Sequence, residues 1–223
     1  MPVKNILNQA DIDEEIRMAA FEQRPINLRG KILSSLYLQE KTIEQDLDLK
    51  AAVVLGSVTL EGSVIKGGIN LNQSLIRGSF YFGSGTINGN LNLEEADVKG
   101  VVNLVGIKIR GSLNFRGLNI SGFLSLAKTQ IEKDIILPEI KINDAYHSGL
   151  IIKGDLYLRE AQVFGNLDVR NGFIEGSLDM LGAKVRGEVN LNSAEIKEFL
   201  ILKNTKIRGN LSLEGTKYKE MIK

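Results

Sequence analysis

The sequence has no cysteine, no tryptophan, one histidine and three prolines. Without cysteine there is no disulfide framework, no thiolate metal site and no thiol nucleophile. A single histidine leaves acid–base and metal chemistry short of its commonest group. An excess of one charge is missing as well: 28 basic against 27 acidic side chains give a formal charge of +1. That balance removes the electrostatic case for a non-specific nucleic-acid binder, an anionic-membrane binder or an acidic DNA mimic. No run approaches the roughly 18 apolar residues of a membrane helix, and Met1 to Ala10 holds no stretch of signal-peptide length. The expectation is a soluble, cytoplasmic protein with no cofactor and no membrane partner.

Glycine, by contrast, is plentiful, and its spacing organises the chain. Gly56, Gly67, Gly78, Gly89, Gly100, Gly111 and Gly122 are each eleven residues apart, and the interval resumes with Gly154, Gly165, Gly176, Gly187 and, two steps on, Gly209. Lys133 and Glu198 stand at missing steps, and extrapolation backwards reaches Gln45 and Ser34. Between 133 and 154 the interval is 21, which reads as two units with one residue deleted, the short unit being Asp144 to Lys153.

With glycine as position zero, apolar residues fall at +2 and +4, a small or apolar residue at +7 and Ile or Val at +9, as in Leu91, Leu93, Ala96 and Val98. Spacing by two is strand periodicity, and a helix of period eleven would need apolar residues three and four apart. Only +5 and +6 break phase. Pairs such as Glu61-Gly62, Arg170-Asn171 and Asn192-Ser193 supply turn chemistry there. The glycine at zero reads as a second corner, where a Cβ would crowd the axis. The predicted fold is therefore all-β: a right-handed parallel β-helix of eleven-residue repeats, about 22 residues per coil. Seventeen units give a rod of roughly 40 Å at the usual strand spacing.

Ala96-Asp97-Val98-Lys99-Gly100 resembles a unit of the pentapeptide-repeat proteins, as do Ala161 to Gly165, Ala183 to Gly187 and Ala194 to Glu198. The intervening six residues, such as Asn90 to Glu95, do not fit that family. Alternating five and six residues resembles parallel β-helices generally, and the Gly-x-Leu-x-Leu phrasing is similar to bactofilin-like, polymer-forming solenoids. The resemblance spans about 34 to 219 and is one of architecture; it brings no catalytic residue.

Stacking at 22 residues turns each outward position into a column. One +3 column would hold Ser125, His147 and Asp168 on successive coils, formally the order of a catalytic triad. A flat strand face offers no oxyanion hole and no water-excluded pocket, so a solvated polar column is expected instead. Gly83 to Gly89 is neither a dinucleotide fingerprint nor a Walker loop, since its glycines follow the repeat. Position +10 is often basic, but the column Arg110, Glu132, Lys153, Glu175, Lys197 alternates in sign, which predicts interleaved ion pairs rather than a nucleic-acid stripe.

Three segments follow: an N-terminal cap over 1–33 with a helix near 11–22, a solenoid over 34–219 and a tail over 220–223. Asp11 and Glu14 suggest a capping box, Ile12, Ile16, Ala19 and Ala20 share a helical face, and Pro25 stops the helix. Near the other end, Phe199 and Ile201 occupy outward positions, and with Tyr218 and Met221 they are the candidate self-association residues. The expected function is a non-enzymatic interaction scaffold forming a homodimer through its C-terminal coil, with no catalytic, cofactor or metal site and no nucleic-acid partner. A regulator of a DNA-processing enzyme, in the manner of some pentapeptide-repeat proteins, and a carbohydrate-active β-helix enzyme are the alternatives.

Overall fold

The computed structural model describes residues 6–136 and 151–223. They form a parallel β-solenoid of four sheets with nine, nine, nine and eight strands. Nearly every strand is two residues long, because the corners interrupt any longer run. Sheet 1 runs from Ile6–Leu7 to Glu195–Ile196, sheet 2 from Ile26–Asn27 to Leu211–Ser212, sheet 3 from Leu36–Tyr37 to Glu220–Ile222, and sheet 4 from Thr42–Ile43 to Lys206–Ile207. Each eleven-residue unit supplies two sides. Its +2/+3 strand turns the first residue inward and its +8/+9 strand the second, as in Leu91–Asn92 and Asp97–Val98.

The inward columns make one continuous core, in which Leu93, Leu104, Phe115 and Leu126 at +4 are all fully buried. Two different devices turn the corners. At +6 the backbone enters the left-handed region, with φ near 55° at Glu40 and Glu95 and 67° at Gly62. The +3 side chain braces that turn: Oδ1 of Asn70, Asn92, Asn103, Asn114 and Asn190 each accepts the N–H two residues on, at 2.9 to 3.2 Å. At position zero the φ is ordinary, so glycine is required by proximity rather than by backbone twist. A Cβ on Gly100 would lie 2.8 Å from the carbonyl oxygen of Gly78 in the coil below, not against the solenoid axis. The residue after this glycine then ties coil to coil, as Asn90 Oδ1 does by accepting from Ser112 N–H at 2.8 Å.

Register departs from the sequence reading at one place. Regular coils pair residues 22 apart, such as Ile69 with Leu91, but Asn119 pairs with Ile151, Ser125 with Tyr157 and Ile135 with Leu167, each 32 apart. The interval after Lys133 is thus not two units less one residue. Fourteen residues, 137–150, connect sheet 2 to sheet 1 where other coils use four, such as 71–74. Every outward column beyond residue 136 shifts by one eleven-residue unit, two sides of the coil, as a result.

The N-terminal end is closed by helix α1, Gln9–Phe21. Its capping box is Asn8 with Asp11, three residues earlier than Asp11 with Glu14 would place it. Strand stacking already includes Ile6–Leu7, paired with Ile32–Leu33, and α1 occupies the two sides that sheets 3 and 4 fill in later coils. Ile12 and Ala19 are fully buried against the first coil.

Candidate functional site

The corrected register dissolves the Ser125, His147, Asp168 column. Ser125 lies in sheet 3 beside Tyr157, whereas Asp168 lies in sheet 2 between Ile136 and Asn190. His147 lies outside the described residues. Asp168 Oδ1 accepts from the Arg170 N–H, so it does the same corner work as the +3 asparagines. Among the described residues no group of His, Asp and Glu could hold a metal ion.

Sheet 3 places Tyr157 and Asp179 next to each other where the enlarged coil rejoins the stack. The Tyr157 hydroxyl donates to Asp155 Oδ2 at 2.6 Å, and this bond to a carboxylate, with burial second, raises the phenol above its usual pKa. Phe123 meets the Tyr157 ring edge-on at 6.0 Å. Asp179, only 2% exposed, accepts from Arg159 Nε at 2.5 Å and from the Leu181 N–H. With its acids committed and its phenol held protonated, this cluster braces neighbouring coils and presents no free base.

No family model, curated protein or solved structure matches this chain. The structure accordingly shows a parallel β-solenoid, and the resemblance to pentapeptide-repeat and bactofilin-like proteins finds no support in these comparisons. Among the described residues no helix is long and apolar enough to cross a membrane.

The last coil is where the repeat stops satisfying itself. Residues 220–222 form the last strand of sheet 3: Phe199, Leu200 and Ile201 pair with Glu220, Met221 and Ile222. Phe199 and Ile201 are half-buried under this strand, and the Lys219 ammonium sits 5.5 Å from the Phe199 ring centre. Met221 packs partly onto the core, and Tyr218, at a repeat position that is inward elsewhere, is 37% exposed. Sheets 2 and 4 end at Leu211–Ser212 and Lys206–Ile207, with no described strand beyond them. Leu211 occupies +2, a position fully buried at Leu91 and Leu113, yet is 37% exposed. Leu213 and Ile207 are only partly covered.

Phe199 and Ile201, the residues expected from the sequence, point outward, whereas Ile207, Leu211 and Leu213, which are absent from that expectation, point inward over a coil with no described layer above it. Their position in the final repeats was the available signal.

Proposed function

We propose that the protein is a non-enzymatic, cytoplasmic scaffold that forms a two-fold homodimer through its last coil. The observation that carries this reading is the exposure of Leu211, Tyr218 and Ile222 at 36 to 37%, beside partly covered Ile207, Leu213 and Met221. Exposed apolar patches mark association surfaces, and the edges of sheets 2 and 4 add unpaired backbone groups. Helix α1 covers the opposite end, so two copies meeting through one surface close rather than propagate.

Completing the burial of these side chains contributes on the order of 1 kcal/mol each, and edge hydrogen bonds roughly 0.5 to 1.5 kcal/mol each. Against the association cost of at least about 4 kcal/mol, a dissociation constant near the micromolar range is expected. Sedimentation at tens of micromolar should report twice 24.6 kDa. Leu211→Glu should return monomers with an unchanged circular-dichroism spectrum. A wild-type monomer at high concentration, or filaments with α1 intact, would refute the reading.

A further inference from the structure

Near the C-terminal end of sheet 4 the regular 22-residue stacking gathers a group of cations. On sheet 4, Gln162, Lys184 and Lys206 stack as outward neighbours in adjacent parallel strands. Two residues further along each strand, Phe164, Arg186 and Arg208 form the parallel column, held by Arg186 N–H to Val163 O and Arg208 N–H to Val185 O at 2.9 and 3.0 Å. Lower in this column the signs alternate, with Lys66 paired to Glu44 at 2.8 Å and Arg110 followed by Glu132 one coil on. Above Phe164 they do not: four cations stand in a two-by-two grid, about 5 Å apart between coils and about 7 Å along the strand.

None of the four is ion-paired among the described residues. Like charges directly opposite on neighbouring strands are destabilising, so the arrangement is unfavourable while empty of anions. Arg186 is also held in place, its guanidinium 4.3 Å over the Phe164 ring, which leaves its N–H edges free to donate. The six side chains line a shallow cavity of about 180 Å³.

We infer that this grid is a binding site for a diphosphate group. Two joined phosphoryl groups carry about three negative charges at neutral pH, which suits four cations better than a single phosphate does. Paired guanidinium and ammonium donors provide the charge-assisted bonds such oxygens accept. The site is on a lateral face, but Lys206 and Arg208 flank Ile207 in the last strand of sheet 4, so sedimentation of Lys206→Glu separates an effect on the proposed dimer from an effect on the site.

Thermal melts at low salt test the site with inorganic pyrophosphate, ADP, orthophosphate, a short DNA duplex and sodium chloride at matched ionic strength. Millimolar pyrophosphate should raise Tm by at least about 2 °C, beyond the effect of orthophosphate or chloride. An equal shift with ADP would show that the diphosphate is read within a nucleotide, and a shift with pyrophosphate alone that it is read free. Lys206→Glu supplies the second readout. It should leave the Tm of the ligand-free protein equal or higher, because repulsion is relieved, while lowering pyrophosphate affinity at least about tenfold. Pyrophosphate acting no better than chloride, a shift that survives Lys206→Glu, or binding of the duplex without pyrophosphate binding would overturn the proposal.

Discussion

The two ends of the solenoid solve the same problem differently. Among the described residues both terminate stacks of parallel strands with no further strand beyond them, and both would leave the core exposed. At the N-terminal end α1 buries Ile12 and Ala19 over the first coil, and the cap is fastened at its rim. Glu15 accepts from Arg24 and from the Asn27 N–H, Asp13 pairs with Lys41 at 2.9 Å, and Gln9 Oε1 accepts from the Tyr37 N–H. At the other end only sheet 3 receives an extra strand, Glu220–Ile222, and Leu211 remains 37% exposed. A helix covers two sides of a coil with one element, whereas a single strand covers one. The difference is geometric before it is functional: inward repeat positions such as Leu211 stay uncovered at the C-terminal end, whereas the apolar side chains exposed at the other end, Ile6, Met18, Phe21 and Tyr37, are not inward positions of the repeat.

The comparison breaks most readily at position +2. Leu113 and Leu211 hold the same place in the repeat, but Leu113 is fully buried and Leu211 is not. Leu113→Asp should cost upwards of about 4 kcal/mol, since it strands a carboxylate among apolar side chains. Leu211→Asp should cost no more than about 1 kcal/mol and act instead on association. Denaturant melts of the two variants, with sedimentation of the second, check the pair; equal destabilisation would mean the last coil is as enclosed as the middle.

A smaller effect separates the ends by pH. The Arg24 guanidinium, more than burial opposes it, holds the Glu15 carboxyl below its ordinary range, and Lys41 does the same for Asp13. Both groups have folded pKa values below their unfolded ones. Their contribution is therefore complete above the unfolded values, near pH 4 to 4.5, and is lost as pH falls through the lowered folded values. Hydrogen exchange should show α1 losing protection below about pH 4 before the central coils do. Glu15→Gln should remove part of that dependence and cost about 1 kcal/mol at neutral pH. Protection of α1 that does not change with acid would show that the rim contacts do not fasten the cap.

The repeat was legible because each unit states its geometry separately: Leu91, Leu93, Ala96 and Val98 all proved inward, and the +5/+6 pairs turned in every described unit. Register across 137–150 was not legible from glycine spacing. An interval of 21 looks like two short-changed units, while hydrogen bonding reveals a coil 32 residues long. A cue was present at Ser148, which falls on +4, where the other units place a large apolar residue. Side-chain neighbours across 137–150 depend on that register, which is why Ser125 and Asp168 share no column, whereas the grid of Lys184, Arg186, Lys206 and Arg208 lies beyond the interval and keeps the regular spacing of 22. The two corner devices were half legible. Turn residues at +6 announce themselves, but the work of the +3 asparagines requires knowing that Oδ1 faces the N–H two residues on.

The smallest expected effect lies in those corners and asks whether the ends differ in backbone strain as they do in burial. Glu40, in the first full coil, and Asn204, in the last, both sit at +6 with φ of 55° and 58°. A left-handed conformation costs an ordinary L-residue about 1 to 2 kcal/mol, and asparagine less, because its short polar side chain tolerates that region. Glu40 is exposed, and its backbone N–H already donates to Glu61 O at 2.9 Å, a bond that glycine retains. Glu40→Gly should thus stabilise the first coils by about 0.5 to 1 kcal/mol, after the added freedom of the unfolded chain is subtracted. Asn204→Gly should change stability by only a few tenths of a kcal/mol. Because stacked coils can open from either end, protection of amides in the coil concerned is a better measure than a global melt. A gain at Glu40 with none at Asn204 would place the relievable strain in residue identity. Equal gains at both would place it in the corner itself, and the two ends would then differ only in what covers them.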